Sequence, residues 1–319
     1  MSSLSRSLEE YLTLRRELGF KLKEDGVLLS KFISFLERQR ASYITTALAL
    51  LWATEPREAQ PSRCARRLRV VRLFAEYRSA TDPRTEVPPK KLLPDIYRRK
   101  PPFIYSDEQI MHLMEAAGEL PSTVPSTTGL RAQTYCTLLG LLSVTGMRIS
   151  EALALNREDI DLGQEVLTIR ETKFEKSRLV PVHKSTREAM QRYAHFRDRI
   201  YPKPKTRSFF ICERGTRLGY WGVLKTFVRL SREIGLRGPE DSYGPRIHDF
   251  RHRFAVTTLV CWYREGIDVE RHIQELSTFL GHVKVSDTYW YLSAVPELLQ
   301  LAARRVEGSK GGPFHENVH

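Results

Sequence analysis

The sequence predicts a mainly α-helical chain of two domains, the second carrying a small antiparallel β-sheet. Three observations predict it. At 319 residues the chain exceeds a usual single domain. Apolar residues recur at helical spacing over most of its length. A stretch with six prolines, 81–102, interrupts that texture, and two short β-prone runs lie well beyond it.

In the first domain, residues 1–84, Leu4, Leu8, Tyr11 and Leu12 mark one helix, which Gly19 brings to a stop. Leu28, Leu29, Phe32, Ile33, Phe35 and Leu36 mark a second. Thr45 to Trp52 gives a short third, and Arg67 to Tyr77 a fourth. The fourth sets Leu68, Val71, Leu73 and Phe74 among Arg66, Arg67, Arg69 and Arg72. An arginine-rich helix face is either solvated or set against a nucleic-acid backbone. Residues 85–103 read as an extended, basic linker. A larger domain follows over 104–307, opened by Ser106 as a helix N-cap. Within it, Val166 to Arg170 and Arg178 to Val182 are β-prone runs joined by a polar turn, and Ser208 to Cys212 is a candidate third strand. Residues 308–319 have no periodicity and read as a mobile tail.

Composition narrows the function classes. The formal net charge is +13 and the pI about 9.7, which favours polyanionic partners because binding phosphates releases condensed counterions. Charge alone does not separate DNA from RNA. The four cysteines are scattered without metal-ligand or disulfide spacing, which fits a reducing cytosol. The first residues lack the apolar core of a signal peptide, and no apolar run is long enough to span a bilayer. The expected location is therefore the cytoplasm, and the family resemblance given below adds association with the nucleoid.

Four clusters carry potential chemistry. In TGMRISEALAL, Arg148 and Glu151 are three apart on one helical face, so the carboxylate can orient the guanidinium. The turn between the β-prone runs presents Lys173 and Lys176, ordinarily solvated turn residues but able to reach a DNA groove. In PRIHDFRHRFAVTTL, His248 and Arg251 are three apart. His252 falls four after His248, but Asp249 stands where a hydrolytic zinc helix needs glutamate, and no third ligand has familiar spacing. In STFLGHVKVSDTYWYL, Gly281-His282 ends one helix, and Tyr289 and Tyr291 ride the next on roughly opposite faces.

In this order and at these separations, the clusters resemble the tyrosine recombinase, or phage integrase, family. The motifs are Arg148 in TG-x-R-x-SE, a hairpin lysine, His248-x-x-Arg251, Leu280-Gly281-His282, and a tyrosine nine residues later at Tyr291. The match covers roughly Phe103 to Leu299, and TYWYL-SAVPELL looks like members carried by transposons. The resemblance implies a helical core-binding domain and an α+β catalytic domain that clamp duplex DNA. It implies Tyr291 as nucleophile, forming a 3′-phosphotyrosyl intermediate without metal, ATP or any cofactor. Arg148 and Arg251 would hold the phosphate, Lys173 (or else Lys176) would act as general acid, and His248 would assist proton transfer. His282 would bond the phosphate and Glu151 would orient Arg148. Arg66, Arg67, Arg69, Lys176 and Arg178 are the expected DNA contacts. The amphipathic run 296–306 would join subunits in a homo-tetramer or hetero-oligomer on two DNA sites. A type IB topoisomerase and a catalytically silent DNA-binding partner subunit are the rival readings. The integrase-style spacing counts against the first, and the intact residue set against the second. An RNA-modifying enzyme is a third, supported by charge alone, with no cofactor-binding motif to accompany it.

Overall fold

A computed structural model describes residues 3–309 except 56–59, 96–101, 171–176, 204 and 295. The chain divides into two compact units, Met1–Lys100 and Pro101–His319. Among the described residues, no helix is long and apolar enough to cross a membrane.

Four helices build the first unit: α1 (Ser3–Glu17), α2 (Lys23–Arg38), α3 (Thr46–Thr54) and α4 (Pro61–Ser79). Thr45 caps α3 by accepting from the Leu48 amide, and Pro61 opens α4, where a missing N–H leaves nothing unsatisfied. Their apolar faces meet in a core of Leu8, Phe32, Leu36, Trp52, Val71 and Phe74. The basic segment after α4 does not leave this unit at once. The Glu86 amide donates to the Ile44 carbonyl at 2.8 Å, and its carboxylate accepts from the Thr46 amide at 2.7 Å, at the start of α3. Leu93 packs on the same core.

In the second unit, α5 (Asp107–Gly118) starts with the reciprocal Ser106–Gln109 capping box. Helix α6 (Leu130–Thr145) runs through the core and is apolar nearly all round, which is why it is buried on most faces. Then come α7 (Ile149–Ala154), three strands, α8 (Lys184–Ile200) and α9 (Tyr220–Glu233). The strands β1 (Ile160–Asp161), β2 (Val166–Ile169) and β3 (Arg178–Pro181) pair antiparallel in that order, with Leu167 opposite Val180. The run Ser208 to Cys212 is not the third strand: it makes only isolated bridges, from Ser208 to Asn156 and from Ile211 to Arg217. The physical reason is that Phe209, Phe210 and Ile211 are all buried in succession, whereas a strand of an open-faced sheet alternates.

The last helices form a satellite around α10 (Asp249–Arg264): α11 (Val269–Leu280), α12 (Ser286–Ala294) and α13 (Pro296–Ser309). A second apolar cluster of this unit, with Ala255, Leu259, Leu276, Leu280, Tyr291 and Leu298, holds them together. Helix α13 thus packs on α10 and α12 of its own chain.

Candidate active site

Two glycines build the frame of the site. Gly146 ends α6 and Gly281 ends α11, both in the left-handed region at φ of +58° and +69°. A side chain is excluded at each for a second reason. A Cβ on Gly146 would meet the Phe254 ring at 2.8 Å, and one on Gly281 would meet the Arg178 guanidinium at 2.6 Å. The carbonyls at these turns then receive the two arginines crosswise. Arg148, next to the first turn, donates from Nη2 to the Gly281 carbonyl at 3.1 Å. Arg251 donates from Nη1 to the Gly146 carbonyl at 3.1 Å. Helix C-termini carry partial negative charge, so each cation sits at a favourable pole.

Glu151 is the hub of the arginine cluster. It accepts from Arg148 Nη1 at 2.8 Å and from the Arg148 amide at 2.9 Å, as the three-residue spacing anticipates. It also takes a forked pair from Arg178 at 2.8 and 3.2 Å. Burial opposes its ionisation, but Arg178 and Arg148 outweigh it and hold the carboxyl below its ordinary range. Arg178 further donates from Nε to the Phe279 carbonyl at 2.8 Å, so β3, α7 and the end of α11 are tied by one side chain. This geometry engages the residue expected as a DNA contact within the protein. Its guanidinium is nearly buried and committed to Glu151 and the α11 turn.

Arg251 is 2% exposed, and its Nη2 is a buried donor without a partner among the described residues. Burial and then the neighbouring Arg148 push its pKa down to about 10, while Tyr291 and Glu151 pull the other way. Arg148, Arg251, Glu151 and Tyr291 therefore lie within electrostatic reach of one another. His248, at the N-cap of α10, keeps an exposed edge although protein crowds its ring. Desolvation, then Arg251, lowers its pKa to about 4, so it is neutral at physiological pH.

The two tyrosines of α12 part company. Tyr289 is 44% exposed, whereas Tyr291 is 2% exposed and turned inward. The Tyr291 hydroxyl is 2.9 Å from His252 Nδ1. Its ring stacks near that of His282, centroids 6.4 Å apart. His282 is itself fixed through Nδ1 by the buried Thr288 hydroxyl at 2.7 Å. Arg148, Glu151, His248, Arg251, His282 and Tyr291 thus belong to one neighbourhood. Lys173 and Lys176 lie outside the described residues.

Sequence reasoning missed two residues of this neighbourhood and the tertiary partners of Arg178. His252 was considered only as a metal ligand, although its place directly after Arg251 was the signal. Thr288, six after His282, carried no signal of its own. The arginines expected on a DNA face of α4 also divide. Arg67 stacks on Trp52 at 3.7 Å and donates to its carbonyl at 2.5 Å. Arg69 is exposed, and Arg66 is exposed but paired with Glu24 and Asp25.

Comparison with known proteins matches residues 105–297 to the phage integrase family. A putative integrase/recombinase, y4rB of Sinorhizobium fredii, is 48% identical over 308 residues, covering 96% of this chain and 98% of the relative. Tyrosine recombinase XerC of Herpetosiphon aurantiacus is 30% identical over 291 residues, 88% and 87% of the two chains. The solved Tn1549 transposon integrase in complex with transposon right end DNA shares the fold. Its TM-score is 0.65 at 15% identity, covering 96% of this chain and 99% of that one.

Proposed function

The chain belongs to the phage integrase family and is a tyrosine-type site-specific recombinase, and from this premise we propose that it cuts and rejoins duplex DNA through a 3′-phosphotyrosyl link on Tyr291. The observation that carries the reading is the buried, uncommitted Nη2 of Arg251, within electrostatic reach of both Arg148 and the Tyr291 phenol. A buried donor of that kind is unfavourable unless something fills its place, and a non-bridging phosphate oxygen does so.

In-line attack on a phosphodiester builds negative charge on the non-bridging oxygens. Arg148 and Arg251, prealigned by the two glycine carbonyls, stabilise that charge without reorganising. Arginine suits the role because it stays charged and presents forked donors. His248, neutral at physiological pH, and His282 bond the phosphate and assist proton transfer, and Lys173, or else Lys176, protonates the leaving 5′ oxygen. Neither metal nor ATP enters, because the covalent link conserves the phosphodiester energy for rejoining. The relatives' descriptions as integrase and recombinase, one of them from a transposon and bound to DNA, support duplex DNA as the substrate and a mobile element as its setting. Helix α13 is held on its own chain through Leu298, Leu301 and an exposed Arg264–Glu297 pair. An amphipathic helix at this place is suited to exchange with a neighbour, as assembly on two DNA sites requires.

The test is a nicked suicide duplex prepared from the DNA flanking the gene. The wild-type chain accumulates a covalent adduct and Tyr291→Phe forms none. An adduct from Tyr291→Phe overturns Tyr291 as the nucleophile. Binding without any adduct favours the rival reading, a catalytically silent DNA-binding subunit.

A further inference from the structure

Resting on the covalent-transfer reading above, we propose that His252 is a catalytic residue, the group that aims the Tyr291 hydroxyl and receives its proton as the phosphotyrosyl bond forms. The arginine pocket needs a nucleophile with its proton removed, and a phenol at neutral pH retains it. The geometry supplies an acceptor. His252 Nδ1 lies 2.9 Å from the Tyr291 oxygen, and the two rings meet edge to face with centroids 5.5 Å apart. For Nδ1 to accept, the ring proton must sit on Nε2. That nitrogen faces Asp249 Oδ1 at 3.9 Å, too far for a hydrogen bond but near enough for the carboxylate to favour this tautomer and an imidazolium. Asp249 is itself buried and fixed by the Arg246 amide and guanidinium, both at 2.8 Å. Asp249, His252 and Tyr291 form a line of carboxylate, base and nucleophile joining α10 to α12, the carboxylate acting on the ring through its field.

Charged, titratable and aromatic groups face His252 from two helices. On its own helix are Asp249, and His248 with its ring centroid 4.8 Å away; Arg251 lies one residue back. From α12 come Tyr291 and the Trp290 ring at 5.8 Å. His282 approaches Tyr291 from the other side. Arg246 pairs with Asp249 and also acts electrostatically on His248. His248 is the family's expected proton-transfer group, yet it is His252 that contacts the phenol. The balance is complete. The Tyr291 O–H proton moves to Nδ1 as the phenolic oxygen bonds to phosphorus. The bond from phosphorus to the 5′ oxygen breaks, and that oxygen takes its proton from the lysine general acid. In the reverse step His252 returns its proton to the departing phenolate.

The experiment measures single-turnover adduct formation on the nicked duplex from the flanking DNA, from pH 6 to pH 10, for wild type, His252→Ala and His252→Asn. The asparagine keeps a polar acceptor at the Nδ1 position but cannot hold the proton. Both variants are expected to bind the duplex within a few-fold of wild type in a gel shift. At pH 7 both form adduct about 10²- to 10⁴-fold more slowly, the range for loss of a general base. Both recover toward wild type at high pH, where the phenol ionises unaided. His252→Asn at the wild-type rate, or His252→Ala slowed equally at every pH, overturns the proposal. Separately, in histidine-¹⁵N-labelled chain without DNA, the Nδ1 resonance of His252 is expected to shift on Tyr291→Phe, and an unchanged resonance also overturns it. Failure of the wild-type chain to form any adduct, with that shift present, defeats the covalent-transfer reading and the proposal with it. An absent shift in an active enzyme defeats the proposal alone.

Discussion

The chain concentrates arginine in two places, and the two use it differently. On α4 three guanidinia have separate local partners, while Arg69 stands exposed. Arg66 pairs with Glu24 and Asp25, Arg72 with Glu76, and Arg67 lies flat on Trp52. In the catalytic unit three arginines, Arg148, Arg178 and Arg251, surround one buried carboxylate, Glu151, and two of them rest on the carbonyls of helix-ending glycines. The first arrangement leaves little charge unanswered. The second leaves a cationic surplus at a point where a buried donor has no partner among the described residues. Arginine count says nothing about which region binds an anion; the local balance of carboxylates does.

The strongest way to break this comparison is to remove the hub. Glu151→Ala leaves Arg148 and Arg178 facing each other without compensation, and losing one partner of a buried ion pair costs about 3–5 kcal/mol. A fall in stability of that size is expected by chemical denaturation, with Arg66→Ala as the contrasting surface case at under about 1 kcal/mol. Equal effects of the two would erase the distinction between the regions. The loss at Glu151 is also expected to depend on pH. Its folded pKa is lowered, so its contribution is present above the unfolded value near 4.5 and fades as pH falls through the folded one.

Next in size is the arginine pair proposed to hold the phosphate. Arg251→Lys keeps the charge but removes the forked donors, and loss of one such donor lowers the chemical step about 10²- to 10³-fold. The measurement is adduct formation on the nicked duplex, with duplex affinity followed alongside. A rate within a few-fold of wild type would mean that Nη2 serves packing and not the phosphate.

How much of this was legible in the sequence follows the same division. Local relations could be read there. Arg148 and Glu151 pair because they are three apart, Ser106 and Gln109 close a capping box, and glycine after Thr145 and Leu280 ends a helix. The convergence of Arg148, Arg251, His248, His282 and Tyr291 came from their order and separations. What was illegible is tertiary. Arg178 stands at the end of a polar turn and looks like a surface residue, because its partners Glu151 and Phe279 lie far off in the chain. Arg67 looks like the other arginines of α4 until α3 brings Trp52 beneath it. The apolar run at Phe209 and Phe210 resembles a strand because burial on all sides and β-propensity select the same residues. His252 was visible but misweighed: two histidines four apart suggested a metal, and only the placement of α12 shows that one of them meets a phenol.

Two smaller effects sharpen the contrast within α4 itself. Arg67→Ala loses a largely desolvated cation–π interaction and a bond to the Trp52 carbonyl, so a destabilisation of about 2 kcal/mol is expected by chemical denaturation. Its effect on the salt dependence of DNA binding is expected to be nil, because the guanidinium already has its partners.

Arg69 is the opposite case and the smallest in stability terms. It is exposed, so Arg69→Ala is expected to change stability by no more than about 0.5 kcal/mol. If α4 lies along a DNA backbone, however, each phosphate left without its cation reduces the slope of log affinity against log salt by about 0.9. The informative experiment is therefore a salt titration of duplex binding for Arg67→Ala and Arg69→Ala side by side. A lower slope for Arg69→Ala alone assigns the exposed arginine to the DNA and the stacked one to the fold. A lower slope for Arg67→Ala would show that its guanidinium leaves Trp52 when DNA arrives. Unchanged slopes in both would make α4 a helix whose charge is solvated, and would leave the electrostatic attraction for DNA to the catalytic unit.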